Sequence, residues 1–461
     1  MHLEGSVRPL VRLVVPVLFE QALALGVGFT DKWLCGRLLE GPEYLAAVGL
    51  VAYCIGFMPA LFAIAGVPAT ALVARAVGAG DARTARRATA QALLVGAVVA
   101  AVILAAAALG GGRFVRMLGL PSQSSALAIR YLAIVVPALP LMMFTQVGVA
   151  ALRGAGSMRS GLGVMTVVNL VNASASAALA TGFAGLPRLG WSGLAWGTLL
   201  GSVAGSAVTM ILLFRPGSGL APRWFDWLPS LAWRRRIVAI GTPAGLDGIA
   251  NAVCQLWFLS IVNRLGDTAA AAHALGITIE SIAFLPGAAF MVAASTLAGQ
   301  FLGAGDQRRA RESVRLAAIA CTLLMSAVAV VLYAEAAGFA RLFLGRDRQP
   351  EVVSQTAELV RIVAFAQPPL ALLMVFAGAL RGAGQTRLPM AVNLVSLCGV
   401  RLPLAMFLGW DGVVLPGGLG SLPAAGLGVR GAWYAMAADL FLRGLAMTLL
   451  FRWSNWSRPV R

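Results

Sequence analysis

Two glycine-rich motifs each occur twice in this chain, in the same order and at nearly the same spacing. A Gly-Ala-Gly-Asp motif at 78–81 returns at 303–306, and Ala-Leu-Arg-Gly-Ala-Gly at 151–156 returns at 379–384. Two prolines of the first half have counterparts at almost the same displacement: Pro16 with Pro243, and Pro59 with Pro286. Landmarks that keep one order and a near-constant offset indicate a tandem duplication. In a hydrophobic chain, such a repeat is typical of a two-lobed transporter whose path lies between the lobes.

The composition places this duplication in a membrane. Hydrophobic residues make up 59% of the chain and charged residues only 12%, whereas a soluble domain carries about 25% charged residues. The apolar stretches are long enough to cross about 30 Å of hydrocarbon as helices, and they lack the alternation of a membrane barrel. We predict twelve spans, at about 9–34, 44–74, 88–109, 124–150, 160–183, 190–214, 236–264, 268–301, 311–335, 353–379, 388–410 and 428–452.

The predicted fold is an all-α membrane protein with twelve transmembrane helices in two pseudo-symmetric six-helix bundles. We assign residues 1–214 to the N-terminal bundle, 215–235 to a cytoplasmic linker and 236–461 to the C-terminal bundle. The first apolar run is too long for a cleavable signal and contains Glu20 and Asp31. We therefore expect the first span to stay in the protein.

The net charge of +18 is a signal of topology and does not indicate nucleic-acid binding. Most of the 36 Lys and Arg residues fall in loops on one inferred side of the membrane. Because positively charged loops stay inside, we expect both termini to be cytoplasmic in a bacterial inner (plasma) membrane. The five scattered cysteines form neither a disulfide framework nor a metal-ligand pattern, so we expect no metal cluster and no cofactor.

The two Gly-Ala-Gly-Asp loops are predicted to be turns between membrane helices. Their glycines can adopt the left-handed conformation that ends a helix, and Asp81 or Asp306 can then cap the helix that follows. Neither loop has the Lys-Ser/Thr ending or the preceding strand of a phosphate-binding loop, which argues against nucleotide binding.

Several short segments of the chain resemble those of a known family. They are Thr30–Arg37, Leu45–Leu50, Glu280–Gly287, Gly299–Asp306, Leu380–Arg387, Arg401–Leu404 and Phe451–Trp453. In this order they are similar to bacterial members of the multidrug and toxic compound extrusion (MATE) family. The resemblance implies two six-helix bundles, a central cavity and cation-coupled export of organic, often cationic, compounds.

Ionisable groups inside a bilayer are costly, so each one is a candidate functional residue. Asp31 lies near the outer end of the first span, three helical turns from Glu20 and on nearly the same face. By the resemblance, Asp31 matches the first-bundle acid that binds the coupling cation. The alternative is a simple interfacial pair with the adjacent Lys32, the only lysine in the chain.

The fifth and sixth spans add neutral oxygens to this candidate site. Where many relatives have Asn-x-x-x-Asp, this chain has Asn172 followed by Ser176, and Thr198 matches the hydroxyl partner. Hard cations prefer several oxygens with charge among them, so the missing carboxylate weakens a Na⁺ site at Asp31. A lone buried acid can instead take up a proton, and we expect H⁺ rather than Na⁺ to be the coupling ion.

The second half carries a parallel set of polar residues. Asp247, Asn251 and Gln255 are spaced four apart and form a stripe along the seventh span. An acid of some family members corresponds to Asn251, and whether Asp247 replaces it stays open. In the eighth span, His273 is interpreted as a structural histidine, with a role in the second-bundle cavity as the alternative. Glu280 is interpreted as a functional acid of that cavity, with intra-bundle hydrogen bonding as the alternative.

Asp439 and Arg443, four apart in the last span, are interpreted as a structural pair, and Arg401 either pairs with an acid or extends towards the headgroups.

The expected function is secondary active multidrug efflux, in which organic compounds are exchanged for H⁺ or Na⁺ by alternating access. A flippase for lipid-linked precursors is the first alternative, but it should line its cavity with basic residues, and only four arginines lie within spans. A membrane-embedded enzyme is the second, and the chain has neither a His-Glu-x-x-His nor a Gly-x-Ser-x-Gly motif. We expect a monomer whose partners are small-molecule substrates and lipid, with no nucleic acid.

Overall fold

The chain folds almost entirely into long helices. A computed structural model describes residues 7–38, 41–117, 121–344, 349–414 and 421–453. Its helices are α1 (Val7–Leu38), α2 (Pro42–Gly56), α3 (Met58–Gly78), α4 (Ala82–Met117), α5 (Ser122–Val135), α6 (Leu139–Gly154), α7 (Met158–Thr181), α8 (Trp191–Phe214), α9 (Leu231–Asn263), α10 (Asp267–Gly303), α11 (Gln307–Ala334), α12 (Ala336–Leu344), α13 (Pro350–Gly382), α14 (Arg387–Ser396), α15 (Leu402–Gly409) and α16 (Gly428–Trp453).

The helices coincide with the predicted spans. Over the described residues, eleven helical segments are long and apolar enough to cross a membrane. Helix α1 covers the first predicted span, whose crossing stays a prediction. Three spans are built from two helices each: α2 with α3, α5 with α6 through a 3₁₀ turn at Val136–Ala138, and α14 with α15 through a π-helical turn at Leu397–Arg401.

Two small elements were not predicted. Helix α12 follows α11 directly, and a two-stranded antiparallel hairpin joins β1 (Gly412–Val414) to β2 (Ser421–Pro423), with Val413 opposite Leu422. Both are too short to produce a clear periodic pattern in the sequence.

The described residues form two compact units. One comprises Val11–Gly245 and Gly299–Asp306, and the other comprises Met1–Leu10, Leu246–Ala298 and Gln307–Arg461, in each case as far as these ranges are described. The first unit therefore includes the last residues of α10. The boundaries predicted at 214 and 236 stay a prediction, and the predicted cytoplasmic ends of the chain lie outside the described residues.

The segment between the halves is tied to α4. It contains a 3₁₀ turn at Trp224–Trp227, and the Gln91 side-chain amide donates hydrogen bonds to the carbonyls of Asp226 (2.8 Å) and Leu228 (3.0 Å). The predicted linker is thus packed, and α9 begins within it at Leu231.

Each of the four repeated motifs ends its helix in the same way. The second glycine has a positive φ, 71° at Gly80 and 78° at Gly305, and the next residue donates a backbone hydrogen bond back to the fifth residue before it, Asp81 to Ala76 and Asp306 to Phe301. This is the Schellman arrangement, and Gly156 and Gly384 adopt it too, with φ of 88° and 80°.

The cap predicted for Asp81 is present. Its carboxylate accepts a hydrogen bond from the backbone N–H of Thr84 at 2.9 Å. The hydrogen bonds from Thr84 hold the pKa of Asp81 below its usual value.

The first glycine of each Gly-Ala-Gly-Asp motif allows two backbones to touch within the first unit. A Cβ on Gly78 would overlap the carbonyl of Gln300, and a Cβ on Gly303 would overlap the carbonyl of Arg75. These two contacts are equivalent, because the offset between the two motif copies aligns Gly78 with Gly303 and also Arg75 with Gln300. We call this crossing of the ends of α3 and α10 the glycine crossing.

The glycines of the longer motifs have the same role. A Cβ on Gly154 would overlap the backbone of Thr70, and a Cβ on Gly382 would overlap that of Ser295. In the first unit, the Gln300 side chain also donates a hydrogen bond to the Gly154 carbonyl at 3.0 Å.

We predict that Gly78→Ala lowers the free energy of unfolding, because the new methyl group would overlap the backbone of Gln300. Overpacking of this kind typically costs about 1–3 kcal/mol. Gly163→Ala is the matched control, since Gly163 lies within α7 with nothing near its missing Cβ. There the substitution should be neutral or stabilising by about 0.5–1 kcal/mol. Thermal unfolding of both purified variants tests this, and equal midpoints would contradict the close contact.

Candidate functional site

A buried polar cluster lies between α7 and α8 in the first unit. Asn172 donates a side-chain hydrogen bond to Thr198 Oγ1 at 3.3 Å, and Ser176 donates one to the Leu194 carbonyl at 3.4 Å. All three predicted residues, Asn172, Ser176 and Thr198, are buried. The structure therefore brings them together, and their role in coupling stays a prediction.

Glycines on α8 explain why the two helices can approach so closely. They recur every fourth residue on one face: Gly193, Gly197, Gly201 and Gly205. A Cβ on Gly197 would overlap the Ser176 side chain, and a Cβ on Gly193 would overlap the backbone of Ala180. Small residues at this spacing let membrane helices pack backbone to backbone, so the polar side chains of α7 lie directly against α8.

Tyr131 on α5 completes the cluster, and the sequence interpretation missed it. Its hydroxyl makes a hydrogen bond with Thr198 Oγ1 at 3.0 Å, and its ring packs on Trp191. No local pattern marks this tyrosine, which lies within an apolar span like many other aromatic residues. Asn172 Oδ1 is buried and has no hydrogen-bond partner among the described residues, so it is available as an acceptor.

Asp31 cannot be placed in this cluster by contact. The side chains of Asp31 and Lys32 lie outside the described residues, and the choice between coupling and an interfacial pair stays open. Further along α7, the Asn169 side-chain oxygen lies 3.3 Å from the Cβ position of Gly26 on α1. Helix α1 therefore approaches α7 at Gly26, five residues before Asp31.

Glu20 is buried and forms an ion pair with Arg153 at the end of α6. In the second unit Asp247 is buried too, and it accepts a hydrogen bond from Arg381 at the end of α13 at 2.6 Å. The offset between the repeats aligns both partners, so these are the same ion pair in both halves. The arginine of the repeated Leu-Arg-Gly-Ala-Gly motif thus neutralises an acid on the first helix of its own half.

The two copies differ in how the acid is satisfied. Asp247 also accepts a hydrogen bond from Asn393 at 2.8 Å, whereas Glu20 Oε2 is buried without a partner among the described residues. In the first half the residue equivalent to Asn393 is Met165, which cannot donate.

A buried charge network extends from Asp247 through the second unit. Arg443 contacts Asn393 at 3.5 Å and donates to Asp439 at 2.5 Å, which confirms the predicted Asp439–Arg443 pair. Arg401 donates to the same carboxylate at 2.9 Å, so it pairs with an acid and does not extend to the headgroups. The Nη1 atom of Arg401 donates to the side-chain oxygen of Gln255 at 3.2 Å, and Gln255 itself is an exposed residue.

The remaining second-half candidates border this network without a hydrogen bond to it among the described residues: Arg401 lies over the Phe258 ring, which packs on His273. His273 is buried, accepts a hydrogen bond from Trp433 at 3.2 Å and packs on Phe258, as expected for a structural histidine. Asn251 and Glu280 are half-buried, and the Glu280 carboxylate has no ion pair within the part of the chain that the structure describes. No group of three or more potential metal ligands occurs among the described side chains.

Comparison with known proteins identifies the family. The MatE family model matches the chain at residues 16–177 and again at 243–407, once in each half. A probable multidrug resistance protein NorM of Thermotoga maritima is 25% identical over 98% of this chain and 93% of its own length. An FAD transporter of Shewanella oneidensis is 25% identical over 93% of this chain and 94% of its own length.

A solved structure of a multidrug resistance MATE transporter in an outward-facing conformation has the same fold. Its TM-score is 0.87 at 19% identity, with 96% of this chain and 94% of that chain covered. The family model matches each copy of the duplication, and the fold is that of a MATE transporter. The chain therefore belongs to the MatE (multidrug and toxic compound extrusion) family, and it is a membrane transporter and not an enzyme.

Proposed function

We propose that this protein is a proton-coupled antiporter that exports organic compounds across the bacterial inner membrane, as a monomer with both termini in the cytoplasm. The observation that carries the proposal is the cluster of Tyr131, Asn172, Ser176 and Thr198, which is polar, buried and set within an apolar unit. Polar groups in a membrane interior are retained where they serve an ion or substrate pathway.

The donor set favours a proton over Na⁺. The described members of the cluster supply only neutral oxygens, and Ser176 stands where a second carboxylate would complete a cation site. Na⁺ needs several oxygens with charge among them, whereas a proton needs one carboxylate with an accepting neighbour. By the resemblance, Asp31 supplies that carboxylate in this proposal, and Asn172 offers an unpaired amide oxygen that can accept a hydrogen bond from a protonated acid.

Alternating access requires contacts that can release. The glycine crossing lies on the side that the arginine distribution predicts to be cytoplasmic. The contacts seen there include backbone packing and the hydrogen bond from Gln300 to Gly154. Opening towards the cytoplasm would separate the end of α10 from α3 and α6.

The proposed substrate class follows from which buried arginines are already paired with acids. Within the second unit, Arg381 is paired with Asp247, and Arg401 and Arg443 share Asp439. Arginines held in this way are not free to bind diphosphates, which argues against the lipid-precursor flippase. The NorM relative supports multidrug export, and an anionic dinucleotide, the cargo in the name of the Shewanella relative, is the competing outcome.

Expression in a drug-susceptible bacterial strain should raise resistance to cationic dyes or fluoroquinolones. Asp31→Asn should lose this resistance while the protein still inserts, because a neutral side chain of the same shape cannot bind the proton. Minimal inhibitory concentrations and dye accumulation measure it, with membrane protein quantified. Unchanged accumulation across a broad panel, or export of FAD alone, would contradict the proposal.

Ser176→Asp should add Na⁺ dependence to export, since it restores the second carboxylate beside Thr198. Ser176→Asn is the matched control, of equal size and without charge. Dye efflux from energised cells with and without Na⁺ measures the difference. If Ser176→Asp gains no Na⁺ response while remaining folded, the missing carboxylate does not decide the coupling ion.

Arg153→Ala should destabilise the first unit by several kcal/mol, because it leaves the buried Glu20 carboxylate without its arginine; removal of one member of a buried pair costs about 3–5 kcal/mol. The double variant Arg153→Met with Glu20→Gln should recover much of this loss. Thermal unfolding of the three proteins is the measurement. A double variant no more stable than Arg153→Ala would show that the arginine acts in some other way.

A further inference from the structure

Two cysteines from distant parts of the chain lie in contact inside the second unit. The sulfur atoms of Cys254 on α9 and Cys398 in the π-helical turn are 3.6 Å apart, although the residues are separated by 144 positions. Both are free thiols, since a disulfide would bring the sulfurs to about 2.04 Å. Cys254 is buried and Cys398 is exposed, so the thiol pair is partly buried and has one exposed member.

The π-helical turn determines this approach. It spans Leu397–Arg401, and such turns are rare and frequently found at functional positions. The same turn directs Arg401 to Asp439 and Cys398 to Cys254. The dithiol is therefore held by a turn that is itself anchored through a buried ion pair.

The distance between the two sulfurs favours an atom that binds both of them with a bent S–X–S angle. An atom bonded to both sulfurs at about 2.3 Å would span about 4.6 Å if the arrangement were linear, as two-coordinate soft cations prefer. At 3.6 Å the angle at the bridging atom is instead about 100°, from the same bond length. A tetrahedral metal would need more ligands, and no third His, Cys, Asp or Glu joins the pair among the described residues.

We propose that Cys254 and Cys398 together form a binding site for trivalent organoarsenic compounds. Trivalent arsenic is pyramidal and thiophilic, and its angles suit the observed separation. An organoarsenic oxide, R–As=O, reacts with both thiols to form two As–S bonds; the two thiol protons leave with the oxide oxygen as water, and no oxidant or reductant is needed. The organic group stays on arsenic, next to the exposed side of Cys398. This inference does not depend on the coupling ion or the transported substrate.

The test uses the purified full-length protein and phenylarsine oxide, followed by intact mass measurement. We expect one phenylarsenic group per chain and a fall in free thiols from five to three. Cys254→Ser and Cys398→Ser should each weaken binding at least tenfold, because one thiol holds arsenic only loosely. Cys321→Ser is the control, since that cysteine contacts Met325 and no second thiol, and it should bind like the original protein.

A second measurement tests the proposal without substitutions, in case the serine variants fail to fold. In the unsubstituted protein, phenylarsine oxide should protect Cys254 and Cys398 from maleimide labelling under denaturing conditions, and a small dithiol should reverse the protection where a monothiol does not. Protection of other cysteines, or binding that survives both serine substitutions, would overturn the proposal, as would the absence of any adduct.

Discussion

Backbone packing at helix-end glycines is the interaction on which the rest of this structure depends. In each repeated motif the first glycine lets a neighbouring backbone touch the helix, and the second glycine closes the helix with a left-handed cap. A membrane provides no hydrophobic force between helices, so close packing and hydrogen bonds must hold them. The duplicated motifs supply both at equivalent positions, and at the glycine crossing the two copies pack against each other within one unit.

The charged side chains in the interior also need partners, because an unpaired buried charge is costly. Each repeated arginine lies at the end of its helix and pairs with an acid on the first helix of its half, so two of the costly charges cancel. The second unit extends this pairing into a network centred on Asp439, whereas the first unit has neutral oxygens around Thr198. Duplication has thus produced one half with an extended network of paired charges and another whose neutral polar cluster has a free acceptor, which is why we assign coupling to the latter, the first half.

The sequence was sufficient for the features that repeat or extend over many residues. The long apolar runs, the caps at the glycine motifs and the Asp439–Arg443 pair all follow from local spacing, and the structure agrees with them. Tyr131, the partners of Arg153 and Arg381, and the thiol pair were not predictable, because each depends on contacts between helices far apart in sequence. The π-helical turn has no local signature either, and helix α12 is too short for one. The place of Asp31 rests on the sequence and the resemblance.

In the function proposed for this protein, substrate and proton cross the membrane in opposite directions. The most direct test imposes a substrate gradient across proteoliposomes that contain the protein and a pH-sensitive dye, in the absence of Na⁺. We predict that the substrate gradient drives protons uphill in the opposite direction, and that Asp31→Asn abolishes this movement. Proton movement that is absent, or substrate movement that occurs only after Na⁺ is added, would contradict the account.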